Sequence, residues 1–204
     1  MHIDHVILAA STRLHETPRL PAGYGLEMSV GGEHPNWGTC NWIVALGDAY
    51  LELVGVVDER VARASSFGSR ILESADQELI GWAVRPDDLD ATAARLGLEV
   101  GEGSRTRPSG ERVEWRMAGL DEATERPWLP FFIAWRDPAA FPGATPSPPA
   151  RIVRLELEGD ADELSDWLGP NSLPLDVRAG NAGVTAVVLD GPQGTIVLGP
   201  PRAT

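Results

Sequence analysis

Apolar and polar residues alternate along the chain with the spacing of strands and amphipathic helices, and the first 57 residues predict one strand, a short helix and three further strands. Residues 3–9 are apolar on both faces, as in a buried strand. Ser11 is placed to cap a helix that Pro18 and Pro21 keep short or irregular. Further strands are predicted at residues 26–30, 42–46 and 50–57, the last two joined by the hairpin pair Gly47-Asp48.

The same order of elements returns in a second unit. Residues 79–84 form an apolar run typical of a strand, and Asp87-Asp88 begins a helix that Gly97 ends. That helix carries Leu89, Ala93 and Leu96 on one face. Strands are then expected at residues 98–101, 112–117 and 129–135. A short helix at residues 67–74 lies between the two units.

A third, shortened unit closes the chain. Residues 137–150 are rich in proline and predict an extended linker. A strand follows at residues 152–157, and Asp160 with Glu163 has the spacing of a capping box for a helix that ends at Gly169. Short strands are predicted at residues 175–177, 185–189 and 195–198. The predicted organisation is therefore a domain of paired modules at 1–136 (modules 1–57 and 79–136), a linker at 137–150, and a third module at 151–204 packed on the rest.

Composition restricts the partners. With 204 residues and 43% hydrophobic content, the chain can bury a substantial core. A net charge of −13 disfavours binding to nucleic acid or to an anionic membrane surface. Cys40 is the single cysteine, so no intrachain disulfide is expected, and the N-terminus has no signal-peptide pattern. We expect a cytoplasmic protein without a membrane span. A homodimer is one option for its oligomeric state, which the sequence leaves open.

Candidate chemistry concentrates in one stretch. Residues 34–41 read as a turn-rich loop that carries His34, Trp37, Thr39 and Asn41. Glu52 then stands inside the apolar run Tyr50-Leu51-Glu52-Leu53, where a carboxylate is costly to bury without a partner. By contrast, Gly101-Glu102-Gly103 lacks the third glycine and the helix of a dinucleotide loop, and it predicts no nucleotide site.

Several of these segments together match the sequence pattern of a known family. They are Ile3-Asp4-His5-Val6-Ile7-Leu8-Ala9, Gly31-Gly32-Glu33-His34-Pro35, Gly38-Thr39, Asn41 and Tyr50-Leu51-Glu52-Leu53. Together with the element order, they resemble the glyoxalase-like domain proteins of the vicinal-oxygen-chelate superfamily, which includes glyoxalases, bleomycin-resistance proteins and dioxygenases. The resemblance implies an α+β fold in which repeated βαβββ modules form curved mixed sheets around a cleft.

The resemblance also bears on metal binding. In metal-using members each module supplies two ligands, and His5 and Glu52 match the positions of the first module's pair. The second module has Gly81-Trp82-Ala83 and Phe132-Ile133-Ala134 at the corresponding places, and neither segment contains a ligand. We therefore expect no metal and no other cofactor. In the alternative, His34 joins His5 and Glu52 as a triad that holds a divalent ion.

Three functional hypotheses follow. In the first, the protein is a metal-free binding protein or metal-free enzyme whose cleft takes a small organic molecule, with Glu52 and His5 as catalytic candidates. His34, Trp37, Thr39 and Asn41 would bind that ligand. The second is a metal-dependent lyase, isomerase or dioxygenase, and the third is a structural protein with a vestigial pocket. His5 and Glu52 are expected to face the cleft and share a hydrogen bond, which would also be consistent with a purely structural pair.

Overall fold

A computed structural model describes residues 1–10 and 25–199 of the chain. Its main feature is a closed barrel of eight strands, with the order β1-β4-β3-β2-β6-β7-β8-β5. The strands are β1 (His2–Ala9), β2 (Ser29–His34), β3 (Thr39–Ala45), β4 (Tyr50–Val56), β5 (Leu79–Arg85), β6 (Val100–Thr106), β7 (Arg112–Ala118) and β8 (Phe131–Trp135). Each half of the barrel is one set of four consecutive strands, which confirms the α+β fold of curved mixed sheets.

The two halves join edge to edge. At one junction β1 runs antiparallel to β5 over most of its length. At the other, β2 meets β6 through a single antiparallel pair, Glu33 and Thr106. Within the first half β1 lies parallel to β4, so that Ile7 stands opposite Glu52. On the other side of β4, Ile43 of β3 is opposite Glu52 as well. Cross-strand partners share a face of the sheet, so these registers place Glu52 on the inner face of the barrel.

Within residues 1–10 and 25–199, five helices cover the ends and the outside of the barrel. They are α1 (Glu59–Ala62), α2 (Ser66–Glu73), α3 (Leu89–Leu96), α4 (Leu120–Glu125) and α5 (Ala161–Leu168). The side chain of Asp88 caps α3 by accepting a hydrogen bond from the amide of Ala91, and Gly97 ends that helix in the left-handed conformation that glycine adopts without strain. Among the described residues, no helix combines the length and the apolar character needed to cross a lipid bilayer.

A second sheet packs against the outside of the barrel. It consists of β9 (Arg151–Glu158), β10 (Leu175–Arg178), β11 (Gly183–Gly191) and β12 (Gly194–Leu198), in the order β10-β9-β11-β12. Its buried leucines Leu155, Leu157 and Leu189 belong to the same hydrophobic core as Trp82 of the barrel. Trp167 of α5 stacks on Phe132 with 5.9 Å between ring centroids and donates its indole N–H to the carbonyl of Pro130 at 2.8 Å.

Several predicted boundaries were wrong. The second strand is Ser29–His34 rather than 26–30, so His34 ends a strand, and Thr39 and Asn41 lie in β3 instead of a loop. β6 begins two residues later than predicted and continues to Thr106. Helices α1 and α4 were not predicted, and the predicted linker contains a 3₁₀ turn at Pro138–Ala140.

The predicted capping box is only half formed. The side chain of Asp160 accepts hydrogen bonds from the amides of Asp162 and Glu163, but the Glu163 carboxylate turns away to Arg126 and Trp128. The helix predicted after Ser11 lies outside the described residues.

Candidate functional site

A pocket opens inside the barrel, and both modules contribute to its wall. Its volume is about 40 Å³, room for about three water molecules. The first module contributes a mainly polar set of side chains, and the second contributes mainly apolar and aromatic ones. The lining residues are His5, Ile7, His34, Trp37, Asn41, Tyr50, Glu52, Phe67, Arg105, Trp115, Met117, Leu120, Phe131, Ile133 and Trp135.

Glu52 is the centre of the polar side. Its Oε1 accepts a hydrogen bond of 2.5 Å from the amide nitrogen of Asn41, and its Oε2 lies 3.3 Å from Nε2 of His5. His34 Nε2 is 3.9 Å from Oε1. The carboxylate is 7% exposed, and these contacts replace the water that it would otherwise bind. The other end of the Asn41 amide, Oδ1, has no hydrogen-bond partner among the described residues.

A second carboxylate, Asp4, lies behind His5. Asp4 Oδ1 is 2.8 Å from Nδ1 of His5, and its Oδ2 accepts a hydrogen bond of 3.0 Å from the indole of Trp135 and lies 3.4 Å from Arg85. The register of β1 against β5 shifts between Ile3 and His5, which turns the two neighbouring side chains toward each other. Asp4, His5 and Glu52 thus lie in a row: Asp4 and His5 share a hydrogen bond, whereas His5 and Glu52 are in contact at 3.3 Å without the hydrogen bond predicted from the sequence.

His34 is held as a neutral imidazole. Burial lowers its pKa from 6.5 to about 4, with further lowering by Arg105 and His5, while the negative charge of Glu52 raises it by less. Nδ1 of His34 is 3.0 Å from the hydroxyl of Thr39. Thr39 is itself completely buried and lies behind His34 rather than in the pocket wall. Its role in the structure is to orient the imidazole.

Three indole rings stand next to one another in the apolar wall. Trp37 stacks on Trp115 with 6.2 Å between centroids, and Trp115 meets Trp135 at 5.5 Å. The position opposite Trp115 on β6 is Gly103, where a Cβ atom would stand only 2.2 Å from the indole nitrogen. The missing side chain of Gly103 therefore leaves the space that the indole of Trp115 occupies inside the barrel. This explains Gly103 without a nucleotide.

Two further side chains complete the wall. Tyr50 stacks on His5 with 4.6 Å between ring centroids, and burial together with the charges of Glu52 and Asp4 raises its pKa well above the ordinary value. The phenol therefore stays protonated. Arg105 enters from β6 and is 2% exposed, and burial lowers the pKa of its guanidinium. An arginine nevertheless keeps its charge at neutral pH.

The mouth of the pocket lies beside α4. Trp37, Met117 and Leu120 line both the pocket and a wider groove, which Ser65, Ser66 and residues 97–101 also line. Phe67 of α2 contacts Trp37 edge-on at 6.5 Å. The side chains between pocket and groove are thus large, apolar and partly buried, and a ligand entering by this route has to displace them.

The residues present do not fit the metal centre that the superfamily implies. Among the described residues, no group of three or more His, Cys, Asp or Glu side chains is arranged to hold an ion. His5, His34 and Glu52 converge, but an N–H of Asn41 points at Glu52 Oε1, and Asp4 engages the far side of His5. The inward positions of β5 and β8, the first and last strands of the second module, are Gly81, Ala83, Phe131, Ile133 and Trp135, none of which is a usual metal ligand.

The structure brings most of the predicted site residues together. His5, Glu52, His34, Trp37 and Asn41 line one pocket, whereas Thr39 supports it from behind. Sequence reasoning missed Asp4, Tyr50 and Arg105. An acid inside the apolar run of β1 was a signal for Asp4, as it was for Glu52. Arg105 had no such signal, because the predicted strand ended at residue 101.

Comparison with known proteins agrees with this architecture. The model of the glyoxalase-like domain family matches residues 3–170, which is most of the chain. The protein therefore belongs to the glyoxalase-like domain family, which confirms the predicted resemblance to glyoxalase-like domain proteins.

The solved structures that match the chain include the following two. A hypothetical protein from Staphylococcus aureus shares 15% sequence identity and a TM-score of 0.66, over 96% of this chain and 84% of that one, which shows a common fold. Methylmalonyl-CoA epimerase from Mycobacterium tuberculosis shares 17% identity with a TM-score of 0.38, over 66% of this chain and 86% of that one. A search of curated proteins found no match.

Proposed function

We propose that this protein binds a small organic molecule in the barrel pocket without a metal ion, and that Glu52 is the polar anchor of that ligand. The observation that supports this most is the buried carboxylate of Glu52 at the polar end of an aromatic-walled pocket. Asn41 and His5 fix its orientation, and His34 stands beside it as a neutral imidazole. Apolar walls with a few convergent polar groups are the usual construction of a small-molecule site.

The size of the pocket restricts the ligand. A cavity of about 40 Å³ is well below the 300–1,000 Å³ typical of drug-sized ligands. The ligand is therefore either a molecule of a few heavy atoms, or one whose entry moves Trp37, Met117 and Leu120 aside. The groove beyond these three residues is the route along which a larger molecule would extend.

A metal-free enzyme is the second candidate, and the chain Asp4–His5–Glu52 favours it. A base that takes a proton from a ligand must pass it on, and His5 Nε2 lies 3.3 Å from Glu52 with Asp4 at 2.8 Å on the far side. This arrangement can receive a proton at Glu52 and share it with the imidazole. A ligand with an acidic C–H or O–H facing Glu52 is the substrate that such an arrangement would serve.

The test compares the parent protein with Glu52→Gln. Glutamine keeps a carbonyl that can accept from Asn41, so the variant should fold, while the charge and basicity are lost. A panel of small planar molecules, acids and neutral amides, is screened by the indole NMR signals of the pocket tryptophans. We expect the parent to bind at least one compound and Glu52→Gln to bind it more weakly.

Glu114→Gln is the matched control, because Glu114 is exposed on β7 and pairs with Arg112. It should bind like the parent. If no compound binds, or if Glu52→Gln binds as tightly as the parent, the proposal is wrong. For the enzyme candidate, the readout is exchange of a ligand C–H proton with deuterated solvent, which the parent would catalyse and Glu52→Gln would not.

A further inference from the structure

Arg105 differs from every other buried ionised side chain of the described residues. Asp4 contacts His5, Trp135 and Arg85, and Glu52 contacts Asn41 and His5. Glu156, the remaining buried acid, pairs with Arg154. Arg105 makes no hydrogen bond or ion pair with any described residue, and its Nε is completely buried without a partner. A buried charge without an ion-pair partner in general lowers the stability of the folded state by several kcal/mol. Such a residue is more often kept for binding than for stability.

The strand register directs this arginine into the pocket. Arg105 stands opposite Val113 on β7, two residues beyond the pair of Gly103 and Trp115. Side chains two positions apart share a face of a strand, and Trp115 faces the barrel interior. Arg105 therefore also faces the interior, where it lines the same pocket as Glu52. The guanidinium forms no ion pair with a described residue, although the charge of Glu52 acts on it through space, and it lies where a ligand would bind.

We propose that Arg105 binds a carboxylate group of the ligand, so that the pocket takes small carboxylic acids. This inference rests on the proposed function, since it names the ligand class of the same pocket. The planar guanidinium presents paired N–H donors that match the two oxygens of a carboxylate. The buried site strengthens this charge-assisted interaction relative to one at the surface.

Two features favour a carboxylate over a phosphate. The pocket holds only about 40 Å³, and a carboxylate is flat and has fewer heavy atoms than a phosphate. A phosphate monoester carries a charge of about −1.5 to −2, and Glu52 in the same small pocket would repel it more strongly than a single charge.

The geometry also indicates how the acid lies. In the barrel order β4-β3-β2-β6, two strands separate the strand of Glu52 from that of Arg105, a distance of roughly 14 Å along the wall. A ligand whose carboxylate contacts Arg105 would place its apolar body against Trp115 and Trp135. Its far end would point toward Glu52, which acts on it as a hydrogen-bond acceptor or base.

The experiment uses two matched pairs of probes, acetate with acetamide and benzoate with benzamide. Members of a pair have nearly the same shape and differ in charge. Binding to the parent protein is followed by the indole NMR signals and by titration calorimetry. We expect each acid to bind about tenfold or more tightly than its amide, because a charge-assisted hydrogen bond is lost in the amide.

Three variants extend the test. Arg105→Met keeps the length of the side chain without its charge and should lose the preference for the acid. Arg105→Lys keeps the charge without the planar fork and should bind the acids with intermediate affinity. Arg107→Met is the control, since Arg107 pairs with Glu111 outside the pocket, and it should bind like the parent. Without ligand, Arg105→Met should melt no lower than the parent, because it removes an unpaired buried charge.

The outcomes separate the two proposals. If the amides bind to the parent as tightly as the acids do, the pocket binds small molecules but Arg105 does not select carboxylates. The same conclusion follows if Arg105→Met keeps the acid preference. If neither acids nor amides bind, the proposed function fails, and this inference fails with it. The comparison of acid with amide on the parent protein does not depend on any variant folding.

Discussion

Replacement of Glu52 by leucine isolates the contribution of the buried polar network to stability. Leucine fills a similar volume, so the expected loss comes from the partners left behind. Asn41 is 1% exposed, and its Oδ1 already lacks a partner. Without Glu52 its amide nitrogen loses the 2.5 Å hydrogen bond as well. A buried polar group left unsatisfied costs about 1–3 kcal/mol.

His5 loses less, since its Nδ1 contact with Asp4 at 2.8 Å remains. Removing the buried carboxylate offsets part of the cost. We therefore expect Glu52→Leu to lower the free energy of unfolding by about 1–3 kcal/mol, a fall in Tm of roughly 2–12 °C for a chain of this size. Urea unfolding followed by tryptophan fluorescence measures the free energy directly, and calorimetry gives Tm.

Two further variants make the interpretation specific. Glu33→Leu replaces an exposed acid of β2 and should stay within about 0.5 kcal/mol of the parent. The double variant Asn41→Leu/Glu52→Leu removes both partners of the hydrogen bond, so it should recover part of the loss and give a non-additive cycle. A Glu52→Leu protein as stable as the parent would refute the argument, because it would mean that Asn41 and His5 do not depend on Glu52.

Three other predictions concern single groups. Burial lowers the pKa of His34 from 6.5 to about 4. Between these two pH values the unfolded chain binds a proton at His34 that the folded chain does not. This group therefore leaves the free energy of unfolding unchanged above pH 6.5 and lowers it by roughly 3 kcal/mol as the pH drops to 4. Urea unfolding of the parent against His34→Gln at both pH values measures this loss, and an equal pH dependence of the two proteins would contradict it. Burial and the charge of Glu33 raise the pKa of Cys40 to about 11, so its thiol should react with a disulfide reagent at pH 8 only after unfolding; rapid labelling of the native protein would show otherwise. Elemental analysis of untagged protein should find no stoichiometric transition metal, whereas about one ion per chain that His34→Ala removes would establish the triad of His5, His34 and Glu52.

Local patterns in the sequence were sufficient for the order of the strands and for the burial of Glu52. A carboxylate between Leu51 and Leu53 on an apolar strand indicates a buried acid, whichever strands lie beside it. The free-energy cost of burying that acid depends on its immediate surroundings. Helix α3 was equally predictable, since its cap residue Asp88 and its terminal Gly97 act within one turn.

Features that depend on contacts distant in sequence were not predictable. Strand alternation separates the two faces of a strand but does not say which face lies inside the barrel. Near Asp4 a shift of register also breaks the rule that neighbouring side chains point to opposite faces. β6 illustrates the same limit. Its glycines weaken the strand pattern, yet Gly103 belongs in the strand because the indole of Trp115 from β7 occupies the space that a side chain would need. Without that neighbour, the sequence near Arg105 is typical of a loop.

The two modules contribute different kinds of side chain to the pocket. The first module supplies the carboxylate and its partners, from His5 to Glu52. The second supplies the indole wall and Arg105, the unpaired cation. Neither half encloses a pocket alone, because the barrel closes only where β1 meets β5 and β2 meets β6.

If the proposed function holds, substitutions in the second module would change which anion or apolar body is accepted while the network around Glu52 stays intact. Substitution of Glu52 would differ, because Asn41 would lose a hydrogen bond and His5 a close contact. Under the proposal, Arg105, which makes no hydrogen bond or ion pair with a described residue, is the position where ligand preference would change at the least cost to stability.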